Sequence, residues 1–527
     1  QGWGTDVNAD FLLGANRTFG KFSVDASVGG NTWRTIDRSV GTNANNFILR
    51  DFFSIPNGNV RNQTVGYTKT RVNSLYGMAE LGFNNILFLN VTGREDWFSV
   101  YNPQNNSVFY PSVSGSFIFS ELMAKNKWLT YGKLRASWAR TGSAQGVGFA
   151  EGLLSYGIAQ NNFNGQVTAG INGNTSPNPN LKPFTVNEKE IGLEVKLFNN
   201  RLGIDIAAFD KVTTGQVLNV TLSNTSGYTG SKENLGSLKN SGIETQIEYA
   251  VLQSKRFNWV SSFNNTYLAT KVLAIAPGVN DFLVINFNNT GNEFLGQLRY
   301  TVGLPMNQLY TRTYLRNEKG EIVVNNAGRL LPSANYQPVG SSIPKFTGGW
   351  TNSFTFNKLT LGVFVDYKFG GTVLSSTALN LLRQGLSVQS LVGRRDGENG
   401  INNTNFPAVY QGNGQPNTTP VTDLQGFYAD YRNHQIGDPF TFKSDFVKLR
   451  NISLAYNFSN LIRKVSFLSF IKGLNLSGSI RNVAILYKDL PGLDPEAIQS
   501  SGDTRAGYEN SSLPTTRNYN LTLNVKF

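Results

Sequence analysis

The chain has 527 residues, no cysteine, a single histidine (His434) and a formal net charge of +13. The missing cysteines exclude disulfides, thiolate metal sites and cysteine nucleophiles, and one histidine removes most zinc sites and leaves a histidine-based triad a single candidate. Lys and Arg are dispersed without a run, which argues against nucleic acid, and only 15% of residues are charged, against about 25% in ordinary soluble domains.

Strand-like runs begin near residues 7, 21, 71, 86, 111, 129, 187, 202, 239, 256, 346, 358, 444, 467 and 516, about fifteen in all. Several alternate with period two, the mark of a strand with one apolar face. In EKEIGLEVKLF, Ile191, Leu193, Val195 and Leu197 alternate with Glu190, Gly192, Glu194 and Lys196. In GIETQIEYA, Ile243, Ile247 and Tyr249 alternate with Gly242, Glu244, Gln246 and Glu248. In KLTLGVFVDYKF, Leu359, Leu361, Val363, Val365, Tyr367 and Phe369 take one phase, with Phe364 the exception in the other. The chain finishes on YNLTLNVKF, where Tyr519, Leu521, Leu523, Val525 and Phe527 alternate with polar residues. One segment, NLLRQGLSVQSLV (380–392), reads as a short helix. No stretch approaches the roughly 18–20 apolar residues of a membrane helix.

The connections sort into two kinds. Short polar turns lie at 17–21, 84–85, 199–200 and 357–358, with somewhat longer ones at 121–128, 251–255 and 459–465. Long segments rich in Asn, Gly, Ser, Thr and Pro lie at 34–70, 142–186, 271–345, 371–443 and 483–515. Short and long in alternation is the rhythm of an up-and-down antiparallel meander, and outer-membrane barrels have short periplasmic turns and long extracellular loops. The fold class expected is therefore all-β, a transmembrane β-barrel wall. Barrels of this kind close with even strand numbers, so an odd count predicts at least one ascending strand before Gln1.

An ordered set of segments resembles the C-terminal part of the SusC/RagA-like family of TonB-dependent outer-membrane transporters of Bacteroidota. It comprises FYPSVSGSFIFSE (109–121), LRASWARTG (134–142), LKPFTVNEKEIGLEVKLFNNRLGIDIAAFDKVTTGQVL (181–218), SIPKFTGGWTNSFTFNKLTLGV (342–363), SDFVKLRNISLAYNF (444–458), RNVAILYKDLPGLDPEA (481–497) and LPTTRNYNLTLNVKF (513–527). The resemblance implies a barrel of about twenty-two strands, of which about fifteen are present in residues 1–527. It implies that the N-terminal plug, the TonB-binding segment and the first barrel strands lie outside this chain. It also implies import of a large nutrient, an oligosaccharide, glycan or peptide, beneath a SusD-like surface lipoprotein lid. TonB, the barrel assembly machinery and outer-membrane lipid are the other partners implied, with no cofactor.

The alternation assigns Leu359, Leu361, Val363 and Val365 to lipid, with Tyr367 and Phe369 near an interface. Glu190, Glu194, Glu244 and Glu248 fall on the water-filled or plug-contacting lumen wall, where Lys133, Arg135 and Lys196 are candidate partners. The same carboxylates could be acid/base pairs of a glycosidase, which needs two carboxyls about 5–5.5 or 6.5–9.5 Å apart, a spacing that alternate residues on one strand can meet. The wall reading is preferred, since no nucleophile-elbow motif is present and an enzyme is not expected. Trp33, Tyr428 and Tyr431 read as loop aromatics suited to cargo or lid contact, the last two beside Arg432 and His434. DGENG (396–400) lacks the further acids of a calcium loop, so no metal is expected. PGLDPE (491–496) reads as a Pro/Gly turn. The terminal Phe527, with Tyr519, Leu521, Leu523 and Val525, resembles the signal read by the barrel assembly machinery. The rival readings are a passive porin or structural barrel, a barrel hydrolase and a secreted lectin-like β protein.

Overall fold

The computed structural model describes residues 1–124, 127–144, 146–148, 151–158, 163–171, 173–287, 295–462, 467, 470–498 and 506–527. Fifteen long strands run in hydrogen-bonded order along the chain. They are β1 (Gly2–Phe19), β2 (Phe22–Phe47), β3 (Gly58–Phe83), β4 (Leu87–Phe98), β5 (Ser107–Phe117), β6 (Leu129–Ser143), β7 (Phe184–Leu197) and β8 (Leu202–Thr221). There follow β9 (Gly230–Gln253), β10 (Phe257–Ala274), β11 (Phe346–Phe356), β12 (Leu359–Phe369), β13 (Phe446–Asn457), β14 (Gly473–Lys488) and β15 (Asn518–Lys526). Each expected run corresponds to one of these strands. The run expected near 467 begins at Gly473, and the preceding turn at 459–465 lies partly outside the described residues. No described helix is long and apolar enough to cross a membrane, which does not bear on crossing by strands.

Two compact units divide the chain. One comprises Gln1–Ala124, Gly132–Gly192 and Phe209–Lys239; the other comprises Lys125–Tyr131, Leu193–Ala208 and Asn240–Phe527. The first holds β1 to β6 apart from the start of β6. The second holds β10 to β15 and the longest connections.

Asparagine makes the tight turns. Asn84 and Asn85 both take positive φ (54° and 56°) between β3 and β4, and Asn199 and Asn200 (56° and 64°) do so between β7 and β8. Asn tolerates the left-handed region that a two-residue hairpin demands.

In the second unit, register shows how the alternation is used. Val363, Ile452, Ile480 and Tyr519 stand opposite one another across β12 to β15, and so do Leu359, Tyr456, Leu476 and Leu523. The intervening phase gives Thr360, Ala455, Ser477 and Thr522 in one row and Gly362, Ser453, Ser479 and Asn520 in the next. Large apolar groups thus share one face and small polar groups the other. Phe364, the exception in its strand, sits at a register shift between Phe364 and Val365. Its ring lies so close to Gly349 that a Cβ there would come within 2.5 Å of it.

Two expectations about the connections are corrected. Residues 34–70 are not a loop: β2 and β3 stay paired from Phe22↔Phe83 to Phe47↔Gly58, leaving only a short tip. The outer half of this ribbon mixes Thr, Asn, Gly and Arg with scattered apolar residues such as Val40 and Val65, so no continuous apolar stripe announces a strand.

The long connections after β10, β12 and β14 are not structureless either. They fold together around one apolar core that includes Phe287, Leu298, Leu309, Leu374, Leu379, Phe427 and Tyr508. The core is framed by a four-stranded sheet (residues 281–286, 297–301, 308–311 and 337–341) and a three-stranded one (372–375, 441–443 and 508–509). Two helices complete it, α1 (Ser376–Arg383) and α2 (Leu424–Asn433). The helix expected at 380–392 is this α1, shifted upstream. The Ser375 hydroxyl caps it by accepting from Ala378 N, and Gly385 at positive φ follows its end.

Candidate functional site

The predicted wall carboxylates fall on β7 and β9. In the first unit, Arg135 Nε on β6 lies 3.3 Å from Glu190 Oε1. Gly192 gives the guanidinium its room, since a Cβ there would meet Arg135 Cζ at 2.5 Å. Glu188 pairs with Lys211 at 3.9 Å and Asp210 with Lys239 at 2.5 Å on the same unit. In the second unit, Glu194 lies 3.9 Å from Lys196 Nζ, itself 5.5 Å from the centre of the Tyr131 ring. Glu244 and Glu248 are exposed. Residues four apart on a strand stand about 13 Å apart, which exceeds the glycosidase spacing for Glu190 with Glu194 and for Glu244 with Glu248. Both candidate cations Arg135 and Lys196 find carboxylates. Lys133 joins Arg135, Glu80 and Glu190 around a small polar recess of about 230 Å³.

Trp33 is not a loop residue. It lies within β2, opposite Asn8 and Val72, and is 52% exposed. Tyr428 and Tyr431 are not loop aromatics either: they sit on α2, facing the core of the folded connections, and both are buried. The α2 apolar positions Phe427, Tyr428 and Tyr431 have helical spacing, which a Tyr-rich, Gly-containing stretch concealed. Asp423 caps the helix by accepting from Gly426 N at 2.9 Å. Arg329 clamps Asp430 from outside with two hydrogen bonds of 2.6 and 2.7 Å, and His434 Nε2 lies 3.7 Å from the same carboxylate. Arg432, the fourth candidate, is half-buried on α2.

Beside α2 is a cavity of about 470 Å³, walled by Leu382, Val388, Val392, Phe406, Tyr428 and Phe440 among others. The polar tips of its two tyrosines are already engaged. The Tyr428 hydroxyl donates to the carbonyls of Gln389 (3.1 Å) and Val392 (2.9 Å), and the Tyr431 and Tyr314 hydroxyls share a 2.9 Å hydrogen bond. Burial pushes the Tyr431 phenol well above its ordinary pKa, so it stays neutral. This cavity presents apolar wall rather than hydrogen-bonding edges.

PGLDPE does more than turn. Lys448 on β13 donates to Asp494 Oδ1 at 2.6 Å and to Glu496 Oε2 at 2.7 Å. Arg450, two residues on, reaches Glu496 (2.8 and 2.9 Å), Asp366 on β12 (2.6 and 3.0 Å) and Asn482 on β14 (2.8 Å). Asp494 also accepts from Thr515 N at 3.0 Å. Burial alone would raise the Asp494 carboxyl, but the bonds from Lys448 and Thr515 outweigh it and bring its pKa down to about 2. The connection between β14 and β15 is thereby bolted to three strands. Two acids one residue apart, and two bases one residue apart in FVKLRN, were the available sequence signal. DGENG has a local role: Glu398 accepts from Gly393 N at 2.7 Å and Arg395 N at 3.2 Å, closing its own turn.

The last strand pairs with β14 from Arg481↔Asn518 to Gly473↔Lys526. Tyr519, Leu521, Leu523 and Val525 are exposed along it, and Phe527 stacks on Phe470 with ring centres 6.1 Å apart.

The family profile described as TonB dependent receptor-like, beta-barrel matches residues 1–483. Among curated relatives, TonB-dependent receptor P3 of Formosa agariphila is 22% identical over 99% of this chain and 52% of its own length. TonB-dependent receptor SusC of Bacteroides thetaiotaomicron is 24% identical over 89% of this chain and 45% of its own. The chain thus spans about half the length of these relatives. Among solved structures, the RagAB peptide transporter superposes with a TM-score of 0.77 at 19% identity, covering 99% of this chain and 56% of that one. Strand order, face pattern and these matches agree, and the chain belongs to the TonB dependent receptor-like β-barrel family of the bacterial outer membrane.

Proposed function

We propose that this chain is the wall and outer-loop portion of an energised importer that carries a large nutrient, an oligosaccharide or a peptide, across the outer membrane. The observation that carries this reading is the family match over residues 1–483. The similar RagAB structure is named a peptide transporter, and the oligosaccharide class is what the SusC/RagA-like resemblance implies. The apolar rows of β12 to β15 meet lipid, and the carboxylates Glu190 and Glu194 face water. A SusD-like lipoprotein serves as lid over the long-connection side. TonB acts through a plug and a TonB-binding segment that the complete protein contributes beyond these residues, and the barrel assembly machinery inserts the product through its last strand.

The test is uptake of labelled oligosaccharides and peptides by cells carrying the complete reading frame, with TonB present and deleted. The reading expects uptake that disappears with TonB. Flux that persists without TonB identifies a passive channel instead. Hydrolysis of a glycan by the purified protein, lost in Glu194→Gln, identifies an enzyme.

A further inference from the structure

All the residues that line the cavity beside α2, except Pro491 and Gly492, come from the β12–β13 connection. Both strands are paired on each side, so this connection springs from the interior of the wall and not from an edge. At about 470 Å³ the cavity is roughly three times the ~150 Å³ at which an apolar void stays dry and takes up a benzene-sized molecule. Its mouth is apolar as well: Val388 is 74% exposed and Leu381 38%, and both line it.

The polar groups around it are occupied with one another. The Tyr428 and Tyr431 hydroxyls are both hydrogen-bonded within the protein. The Ser387 hydroxyl donates to the Gln389 side-chain oxygen. Asn405 Oδ1 accepts from Asn402 N at 3.0 Å, and its Nδ2 donates to the Gly400 carbonyl at 3.0 Å. A guest therefore meets the aromatic and aliphatic surface of Phe406, Phe440, Leu382 and Val392 and few hydrogen-bond partners. An oligosaccharide carries hydroxyls around every ring, and burying them without partners is costly; burying a charge is costlier still. An uncharged aromatic or aliphatic side chain gives up no hydrogen bond on entering and gains contact with the rings.

Place argues against a lipid chain as the guest. No lining residue lies on a wall strand. The connection continues beyond Phe369 of β12 and Phe446 of β13, the strand ends away from the short turns. An acyl chain would have to leave the bilayer to reach it.

We infer that this cavity receives an apolar side chain of a peptide cargo, so that peptides bearing Phe, Leu or similar residues, rather than oligosaccharides, are the substrate class. This rests on the importer reading above. The test uses the complete protein in detergent-free lipid nanodiscs and a pair of labelled peptides of equal length, one bearing Phe residues and the other Ser in their place. The Phe peptide should bind about tenfold more tightly, and an excess of dextran-derived oligosaccharide should not displace it. Val388→Trp, which fills the mouth from an exposed position, should bring the two peptides within about twofold of each other, with amide exchange in 424–436 unchanged. Val388→Ala should keep the preference. Equal affinity for the two peptides, binding of neither, displacement by the oligosaccharide, or a preference that survives Val388→Trp overturns the assignment. So does a lipid retained by the wild type and lost from Val388→Trp in native mass spectrometry. TonB-dependent uptake of oligosaccharides and not of the Phe peptide also overturns it and leaves the importer reading standing. Uptake of the peptide that persists without TonB overturns the importer reading, and the cargo assignment with it.

Discussion

Lys448 Nζ lies 2.6 Å from Asp494 Oδ1, with the two side chains only 2% and 6% exposed. A cation in the wall strand β13 is thus neutralised by an acid from the connection that leads to the last strand. Removing one member of such a pair strands the other in a poor solvent. Lys448→Met is expected to cost about 3–5 kcal/mol. The loss should appear as proteolysis within 489–517 at protease concentrations that leave the wild type whole.

The same pair predicts a pH dependence. The Asp494 carboxyl is depressed from 3.8 to about 2, and Glu496 is also lowered, burial opposing and the Arg450 and Lys448 bonds prevailing. A depressed carboxylate contributes stability that is complete above its unfolded pKa and is lost as pH falls through the folded one. Resistance of the β14–β15 connection to an acid-active protease should therefore be flat above about pH 4.5 and fall between about pH 4 and 2. Asp494→Asn should flatten that profile.

Val363, at the head of the row shared with Ile452, Ile480 and Tyr519, is expected to face hydrocarbon. Val363→Arg should cost about 2–4 kcal/mol near the bilayer midplane, read as loss of heat-modifiable barrel in the membrane fraction. Ser453→Arg, on the other face, should assemble normally.

Deleting Phe527 should lower the yield of assembled protein more than it lowers uptake per assembled molecule. Quantifying surface-exposed protein and initial uptake rate in the same cells separates the two. Phe527→Tyr keeps the aromatic ring that stacks on Phe470 and should restore most of the yield.

Arg329 clamps Asp430 on α2, and replacing it leaves that buried carboxylate beside His434, 3.7 Å away. Arg329→Gln should destabilise the folded connections by about 1–3 kcal/mol, less than a fully buried pair because Arg329 is itself partly exposed. Faster amide exchange in 424–436, with none in β12 or β13, is the expected signature.

The strand set was legible because period two is written directly into EKEIGLEVKLF, KLTLGVFVDYKF and YNLTLNVKF. Lipid on one side and water on the other force each residue to declare its face. Where both faces meet water, as on the ribbon around Thr42 and Gln63, that rule lapses and 34–70 reads as loop. The fold of the long connections was hidden for a different reason. Its core residues come from three separate segments, and apart from the helix read at 380–392 none was given a period of its own. Tyr428 and Tyr431 belong to that core rather than to an exposed loop. The Lys448–Asp494 pair was hidden because its members lie 46 residues apart and only the pairing of β13 with β14 brings them together. Arg135 and Lys196 could be named as candidate partners of Glu190 and Glu194 from the sequence, but which cation meets which carboxylate needed the pairing of the strands.

The shared core of the three connections bears on how such proteins diversify. Leu298, Leu374 and Tyr508 come from different connections yet pack in one cluster. Exchanging a single connection with that of a relative sets foreign side chains against two resident partners, and overpacking or cavities follow. The three segments therefore have to match one another in shape. A chimera built by transplanting all three together should mature and reach the cell surface, while single-segment grafts should be retained and degraded.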